Sequence, residues 1–120
     1  MLKYTPEHEW VDTSDSEVAI GITPHATSEL GDLVFIELPE IGAEFAKGDE
    51  ICVIESTKAA SGIIAPFDCT VTAVNQEIAD SPEMVNEDPE GSWFVRVSPA
   101  NDDDLDELLD EDAYNQLIGG

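Results

Sequence analysis

A mostly-β sandwich or barrel, with a short helix near residues 24–30 and a C-terminal helical segment, is the fold class this chain predicts. Three observations carry that expectation. Short runs of β-branched and aromatic residues recur along the chain, with turn-type segments between them. The early helical signal, Thr23-Pro24 with Gly31 beyond it, encloses only about two turns. Leu105, Leu109, Ala113 and Leu117 recur at every fourth position near the end, a period that strands do not have.

Taken in order, His8 to Val11 and the alternating run Glu17 to Ile22, joined by a polar turn from Asp12 to Asp15, read as an antiparallel pair. Thr23 is placed to cap a helix covering about Pro24 to Leu30. Leu33 to Leu38 has strand character and stops at Pro39, which cannot donate to a ladder. Glu50 to Glu55 resumes it after a turn-rich stretch containing Gly42 and Gly48, and Gly62 to Pro66 and Cys69 to Val74 come next. A last strand is expected over Trp93 to Val97. The apolar stripe of the tail predicts a helix from about Asp102 to Ile118, with Asp110 able to cap a restart and Gly119 as the stop. Asp102-Asp103-Asp104-Leu105-Asp106-Glu107 is the solvated start of that helix. It lacks the mid-loop glycine and alternating ligands of a calcium loop.

At 120 residues the chain predicts one domain, 1–120, large enough to bury a core without disulfides or metals. Cys52 and Cys69 sit in apolar strand-like runs, not in metal or redox spacing, and are expected to be buried free thiols. The formal net charge of −24, from 28 acidic and four basic residues, opposes nucleic acids and anionic membrane surfaces as partners. No apolar run approaches the roughly 20 residues of a membrane helix, and Met1 to Glu7 has no signal-type core. A soluble, cytoplasmic, monomeric protein is expected.

Against that acidity, Lys58 stands out. It lies in Ile54-Glu55-Ser56-Thr57-Lys58-Ala59-Ala60-Ser61, between two predicted strands and among small residues that leave a turn accessible. A primary amine at such a tip is a nucleophile that a modifying enzyme can reach. Glu55 places an anion where it can help such an enzyme register the lysine.

The Ile63-Ile64-Ala65-Pro66 run resembles the segment downstream of the modified lysine in lipoyl and biotinyl domains. The biotinyl version resembles Met-Lys-Met, and this chain has Thr57 and Ala59 instead, which disfavours biotin. A faint echo of Ile41 to Glu50 in Ile78 to Glu87 is consistent with the two quasi-symmetric halves of that fold. Tyr4 to Val11, Gly21 to Ala26, Leu30 to Gly42, Glu55 to Ser61, Ser81 to Asn86, Pro89, Gly91, Trp93, Leu108-Leu109 and Tyr114 together resemble the glycine cleavage system H protein family.

That resemblance implies a lipoyl/biotinyl-type barrel-sandwich hybrid acting as a carrier and not as an enzyme, with lipoate attached to Lys58 by a lipoate ligase or octanoyltransferase. It implies that the arm accepts an aminomethyl group from the pyridoxal-phosphate glycine decarboxylase and presents it to the tetrahydrofolate-dependent aminomethyltransferase. Dihydrolipoamide dehydrogenase then reoxidises it. Glu9 and His25 match cleft positions that shelter the loaded arm, Glu9 near its amine. Trp10 and Trp93 are expected to be core aromatics. Two positions depart from the family pattern: Gly62 stands where an acidic residue is common, and Pro89-Glu90-Gly91-Ser92-Trp93 replaces Pro-Tyr-x-x-Gly-Trp. A lipoyl or octanoyl donor in a protein lipoylation relay, and an unmodified interaction module, are the alternative readings.

Overall fold

The computed structural model describes residues 2–14 and 17–119, and of Asp102 and Asp104 the backbone alone. Among these residues two antiparallel sheets and short helices confirm the mostly-β expectation. β1 (Leu2–Tyr4), β2 (Glu9–Asp12), β3 (Val18–Ile22), β5 (Glu44–Phe45), β8 (Cys69–Val74) and β9 (Val95–Pro99) form a six-stranded sheet in the order β1-β2-β3-β9-β8-β5. β4 (Leu33–Glu37), β6 (Glu50–Ser56) and β7 (Ala60–Ile64) form a three-stranded sheet in the order β4-β6-β7. Val11, Ile20, Ile22, Ile36, Ile54, Ile63, Val71 and Val97 belong to one buried core built from both sheets.

The β2–β3 pair forms as its alternation predicts, with Trp10 opposite Gly21 and Val11 opposite Ile20. Asp15, the end of its predicted turn, lies outside the described residues. α1 (Pro24–Leu30) has the predicted bounds: the Thr23 hydroxyl accepts from the Ala26 N–H, and Gly31 at φ 80° ends the helix. Glycine reaches that left-handed region without the strain a side chain would meet.

Three expectations are corrected, and one strand is added that the sequence did not mark. β1 had no periodic signal; it exists because Leu2–Tyr4 completes the sheet beside β2, while Tyr4 also exchanges both backbone hydrogen bonds with Leu109 at 2.8 Å. The last strand begins at Val95, not Trp93, since Asn75 holds the Trp93 carbonyl through its side-chain amide at 2.9 Å and the indole packs outside the main core. Ile78 to Glu87 does not repeat Ile41 to Glu50: it folds as α2 (Gln76–Asp80) and α3 (Glu83–Glu87), which bury Ile78 and Val85. The tail is not one helix but a 3-10 turn, Asp102–Glu107, and α4 (Glu111–Leu117), interrupted where Leu109 leaves the helical path to pair with Tyr4.

Asp110 does cap the restart, its Oδ1 accepting from the Ala113 N–H at 2.8 Å. Asp110→Ala is therefore expected to cost about 1 kcal/mol, read as a lowered midpoint in urea unfolding. α4 closes over a second apolar group in which the rings of Tyr4 and Tyr114 stack with centroids 4.7 Å apart and Trp10 lies 4% exposed.

Candidate functional site

β6 and β7 are consecutive and antiparallel, with Glu55 opposite Ala60, so Ser56 to Ala59 must reverse the chain. Ser56 ties the reversal. Its N–H and hydroxyl both donate to the Ala59 carbonyl, at 2.8 and 2.9 Å, while its oxygen accepts from the Lys58 and Ala59 N–H groups at 3.2 and 3.0 Å. The Thr57 N–H donates to the Asp32 carbonyl at 3.0 Å and anchors the turn to the segment after α1. Lys58 is exposed at its tip. Among the described residues no carboxylate forms an ion pair with its amine. Its aliphatic stem passes over Gly31, where an added Cβ would lie 3.3 Å from Lys58 Cε.

Two features surround this tip. Between Leu33 and Phe35 the β4 register slips against β6, and the bulge turns Val34 and Phe35 outward, 57% and 45% exposed. Val34 and Glu55 lie with Lys58 around one shallow depression. On the other side, β7 is the free edge of its sheet, and a groove of about 540 Å3 runs along it from Ala60 to Ile64, with Glu7 and Glu50 on its walls. Four strand steps at about 3.4 Å make it roughly 14 Å long.

At the Ile64 end stands Glu9. Its side chain is 1% exposed; Oε2 accepts the Ile64 N–H at 2.6 Å, and Oε1 accepts the Thr5 hydroxyl at 3.3 Å. Burial pushes this carboxyl up to about 8, helped by the nearby Glu7 charge and opposed by the hydrogen bonds from Ile64 and Thr5. β7 would otherwise leave the Ile64 N–H unpaired at the sheet edge, and Glu9 satisfies it from the six-stranded sheet. The carboxyl thus joins the two sheets.

His25 lies elsewhere. It opens α1, is 31% exposed, and its Nε2 lies 3.1 Å from Glu29 Oε1. Its ring packs against His8 with centroids 4.5 Å apart. Among the described contacts nothing joins His25 to Glu9: one faces His8, the other Ile64. Six helical steps, about 9 Å, separate His25 from Gly31 beneath the Lys58 stem.

Gly62, the departure in the motif, has a steric cause. A Cβ there would lie 2.5 Å from the Cys52 carbonyl oxygen and 2.8 Å from Glu50 Oε2, at the slip in the β6–β7 register. An acidic side chain has no room without moving β6. Gly62→Ala is expected to destabilise the fold by about 1–3 kcal/mol, measured by thermal unfolding, with Lys58 still exposed.

Cys52 and Cys69 are buried and free, as expected. Burial drives the Cys52 thiol strongly upward, with Glu9 and Glu50 adding to it, and holds Cys69 up to about 11, so neither is a ready thiolate. Trp10 is buried and donates its indole N–H to the Pro89 carbonyl at 3.1 Å; Trp93 is half-buried with Arg96 5.2 Å over its ring. No helix among the described residues is long and apolar enough to cross a membrane. Sequence reasoning overlooked His8, although the chain has only two histidines. Its φ of 67°, the positive value found for a described non-glycine residue, is invisible in sequence.

The sequence model of the family described as Glycine cleavage H-protein matches residues 2–119. Glycine cleavage system H protein 2 of Pseudomonas putida is 50% identical over 98% of this chain and 94% of its own length. The probable glycine cleavage system H protein of Pyrococcus horikoshii is 46% identical over 98% of this chain and 89% of its own. The crystal structure of a glycine cleavage system H protein from Mycobacterium marinum superposes with a TM-score of 0.87 at 34% identity, covering 99% of this chain and 97% of that one. With the match running from β1 through α4 in both sequence and shape, the chain belongs to the glycine cleavage H-protein family.

Proposed function

We propose that the protein is a lipoyl carrier of the glycine cleavage system, with the cofactor in amide linkage to Lys58. The observation that carries this reading is the exposed amine at the Ser56–Ala59 turn, held on a hairpin whose backbone is tied at both ends. The residues present fit such a group. The amine meets solvent, its neighbours are small, and a groove along β7 offers an extended arm a bed. A bound dithiolane supplies the redox and group-carrying chemistry; the chain supplies position, shelter and recognition.

Attachment requires Nζ to lose a proton as it attacks an activated acyl carbon, because a primary ammonium has no lone pair to offer. We assign Glu55, with Val34 and Phe35 beside it, to the face that a lipoate ligase or octanoyltransferase grips. In this reading the chain carries an aminomethyl group from the pyridoxal-phosphate decarboxylase to the tetrahydrofolate-dependent aminomethyltransferase, and electrons to dihydrolipoamide dehydrogenase. Glu9, buried behind the Ile64 end of the groove, is assigned to the amine of a loaded arm, where an opposite charge would favour its ionised form. His25 is assigned to shelter the arm along α1.

Peptide-resolved mass spectrometry after co-expression with a lipoate ligase tests the attachment: a single lipoyl mass increment on the Lys58 peptide is expected, and a parent protein that stays unmodified overturns the reading. Glycine-dependent bicarbonate exchange, with the lipoylated protein and the decarboxylase, separates a shuttle from a lipoyl or octanoyl donor. Exchange above the protein-free rate supports the shuttle.

A further inference from the structure

We propose that His8, His25 and Glu29 form a binding site for a divalent transition-metal ion of the Zn2+ type, with one coordination position open to solvent. This site lies on α1 and the segment before β2; it shares His25 with the shelter assigned above to the loaded arm, so it is tested on the chain without that arm.

The first support is geometric. One ligand atom from each of the three side chains lies within 4.8 Å of the others, and His25 Nε2 and Glu29 Oε1 are already 3.1 Å apart. Tetrahedral Zn2+ with bonds of about 2.0–2.1 Å needs neighbouring ligand atoms about 3.3 Å apart. The cluster therefore needs a contraction of about 1.5 Å at its widest pair, within reach of rotamer changes in a half-buried histidine and an exposed glutamate. Two imidazoles and a carboxylate form a borderline donor set. It suits Zn2+, Co2+ or Ni2+ better than Ca2+ or Mg2+, which favour oxygen.

The second support is the arrangement behind His8. Its Nδ1 lies 2.9 Å from the Tyr114 hydroxyl, which lies 2.7 Å from Thr23 Oγ1, which in turn accepts the Ala26 N–H at 3.3 Å. When His8 Nδ1–H donates to Tyr114, and Tyr114 O–H donates to Thr23, the lone pair of His8 is left on Nε2. Outer partners of metal-bound histidines act in this way, orienting the ring and selecting the tautomer that binds. Tyr114 is itself 4% exposed and stacked on Tyr4, so the chain of hydrogen bonds is anchored in packed structure.

The third is the His8 backbone. A non-glycine residue at φ 67° carries a conformational cost that surrounding structure must sustain, and here it is held by a 3.0 Å bond from the Thr23 N–H to the His8 carbonyl. That bond also ties His8 to the cap of the helix that carries His25 and Glu29. The strained residue is thus one whose placement brings the two imidazoles together. Beside it, a cavity of about 310 Å3 reaches His25 and Tyr114, with Glu90 and Glu111 on its rim. It leaves room for water on the open position, and the net charge of −24 raises the local concentration of cations.

The experiment is a chelator-competition titration of the unmodified full chain with ZnCl2, together with Co2+ absorption spectroscopy. One equivalent of Zn2+ per chain is expected, and Co2+ bound at the same site should show the intense visible bands of four-coordination and be displaced by Zn2+ but not by excess Ca2+. His25→Ala and His8→Asn, the latter because asparagine tolerates positive φ, should each weaken binding at least about 100-fold, while Tyr114→Phe should weaken it about 10-fold, as loss of an outer partner does. Glu83→Gln, an exposed acid on α3, should change nothing. Absence of a stoichiometric Zn2+ site, equal displacement by Ca2+, a six-coordinate Co2+ spectrum, or affinity unchanged in both histidine variants would overturn the proposal. Circular dichroism of each variant identifies any loss of affinity caused by unfolding; an unfolded variant is replaced by imidazole NMR of the parent, where Zn2+ must shift both His8 and His25.

Discussion

Lys58→Arg is expected to fold as the parent does and to accept no lipoyl group, so that intact-mass analysis shows complete modification of the parent and none of the variant. The turn makes its hydrogen bonds through Ser56, through backbone groups and through Asp32, with no contribution from the Lys58 side-chain nitrogen. Arginine keeps the positive charge and a comparable stem over Gly31. What it removes is the neutral nucleophile, because a guanidinium stays protonated and cannot attack an acyl carbon. The unfolding midpoint is expected to move by no more than about 0.5 kcal/mol, as for other exposed substitutions. An arginine variant that acquires the lipoyl mass would place the attachment elsewhere. One that loses modification together with a large drop in stability would return Lys58 to a structural role.

The second large effect concerns pH. A folded value near 8, against 4.5 for an ordinary glutamate, means that Glu9 binds more protons folded than unfolded between those limits. Its contribution is therefore fully present below about 4.5 and is lost as pH rises through about 8. Glu9→Gln removes the titration while keeping an oxygen for the Ile64 N–H and an amide toward Thr5. Relative to the parent, the variant is expected to gain stability as pH rises from 5 to 8, by an amount on the order of 3 kcal/mol. Parallel urea unfolding at several pH values, in buffer containing a chelator, measures that difference directly. The repulsion among the other carboxylates appears in both proteins and cancels. A difference that stays flat with pH, or that favours the parent more at pH 8 than at pH 5, would show that Glu9 is ionised in the folded protein throughout.

The buried carboxyl also shows how far sequence reaches into this site. His8-Glu9-Trp10 reads as the start of a strand, and Glu9 reads as a surface acid or a cleft residue. Strand alternation alone gives no hint that Glu9 ends 1% exposed, because its partner, the Ile64 N–H, is 55 residues away on the other sheet. The same holds for His8 and Tyr114, which meet across 106 residues. Lys58 was legible for the opposite reason. A lysine among small residues between two apolar runs makes a hairpin tip by local rules, and the observed turn from Ser56 to Ala59 uses only neighbouring groups and Asp32.

By itself the sequence determined those parts of the protein whose causes are local. The alternation of β2 and β3, the Thr23 cap with Pro24 and Gly31 around α1, the runs of β4, β6 and β8, and the Asp110 cap of α4 each rest on residues within a few positions of one another. Only the tertiary structure decided the rest. β1 is a strand because Leu109 and β2 are there to pair with it, and the tail breaks between its 3-10 turn and α4 because Leu109 is more stabilising in that bridge than in a helix. Ile78 and Val85 become helical because a core made elsewhere accepts them, and Glu9 turns inward because a distant strand edge offers an unpaired N–H. Local propensity chooses among conformations separated by a few tenths of a kcal/mol per residue, whereas a buried partner contributes about a kcal/mol or more. Where the two conflicted in this chain, the partner prevailed.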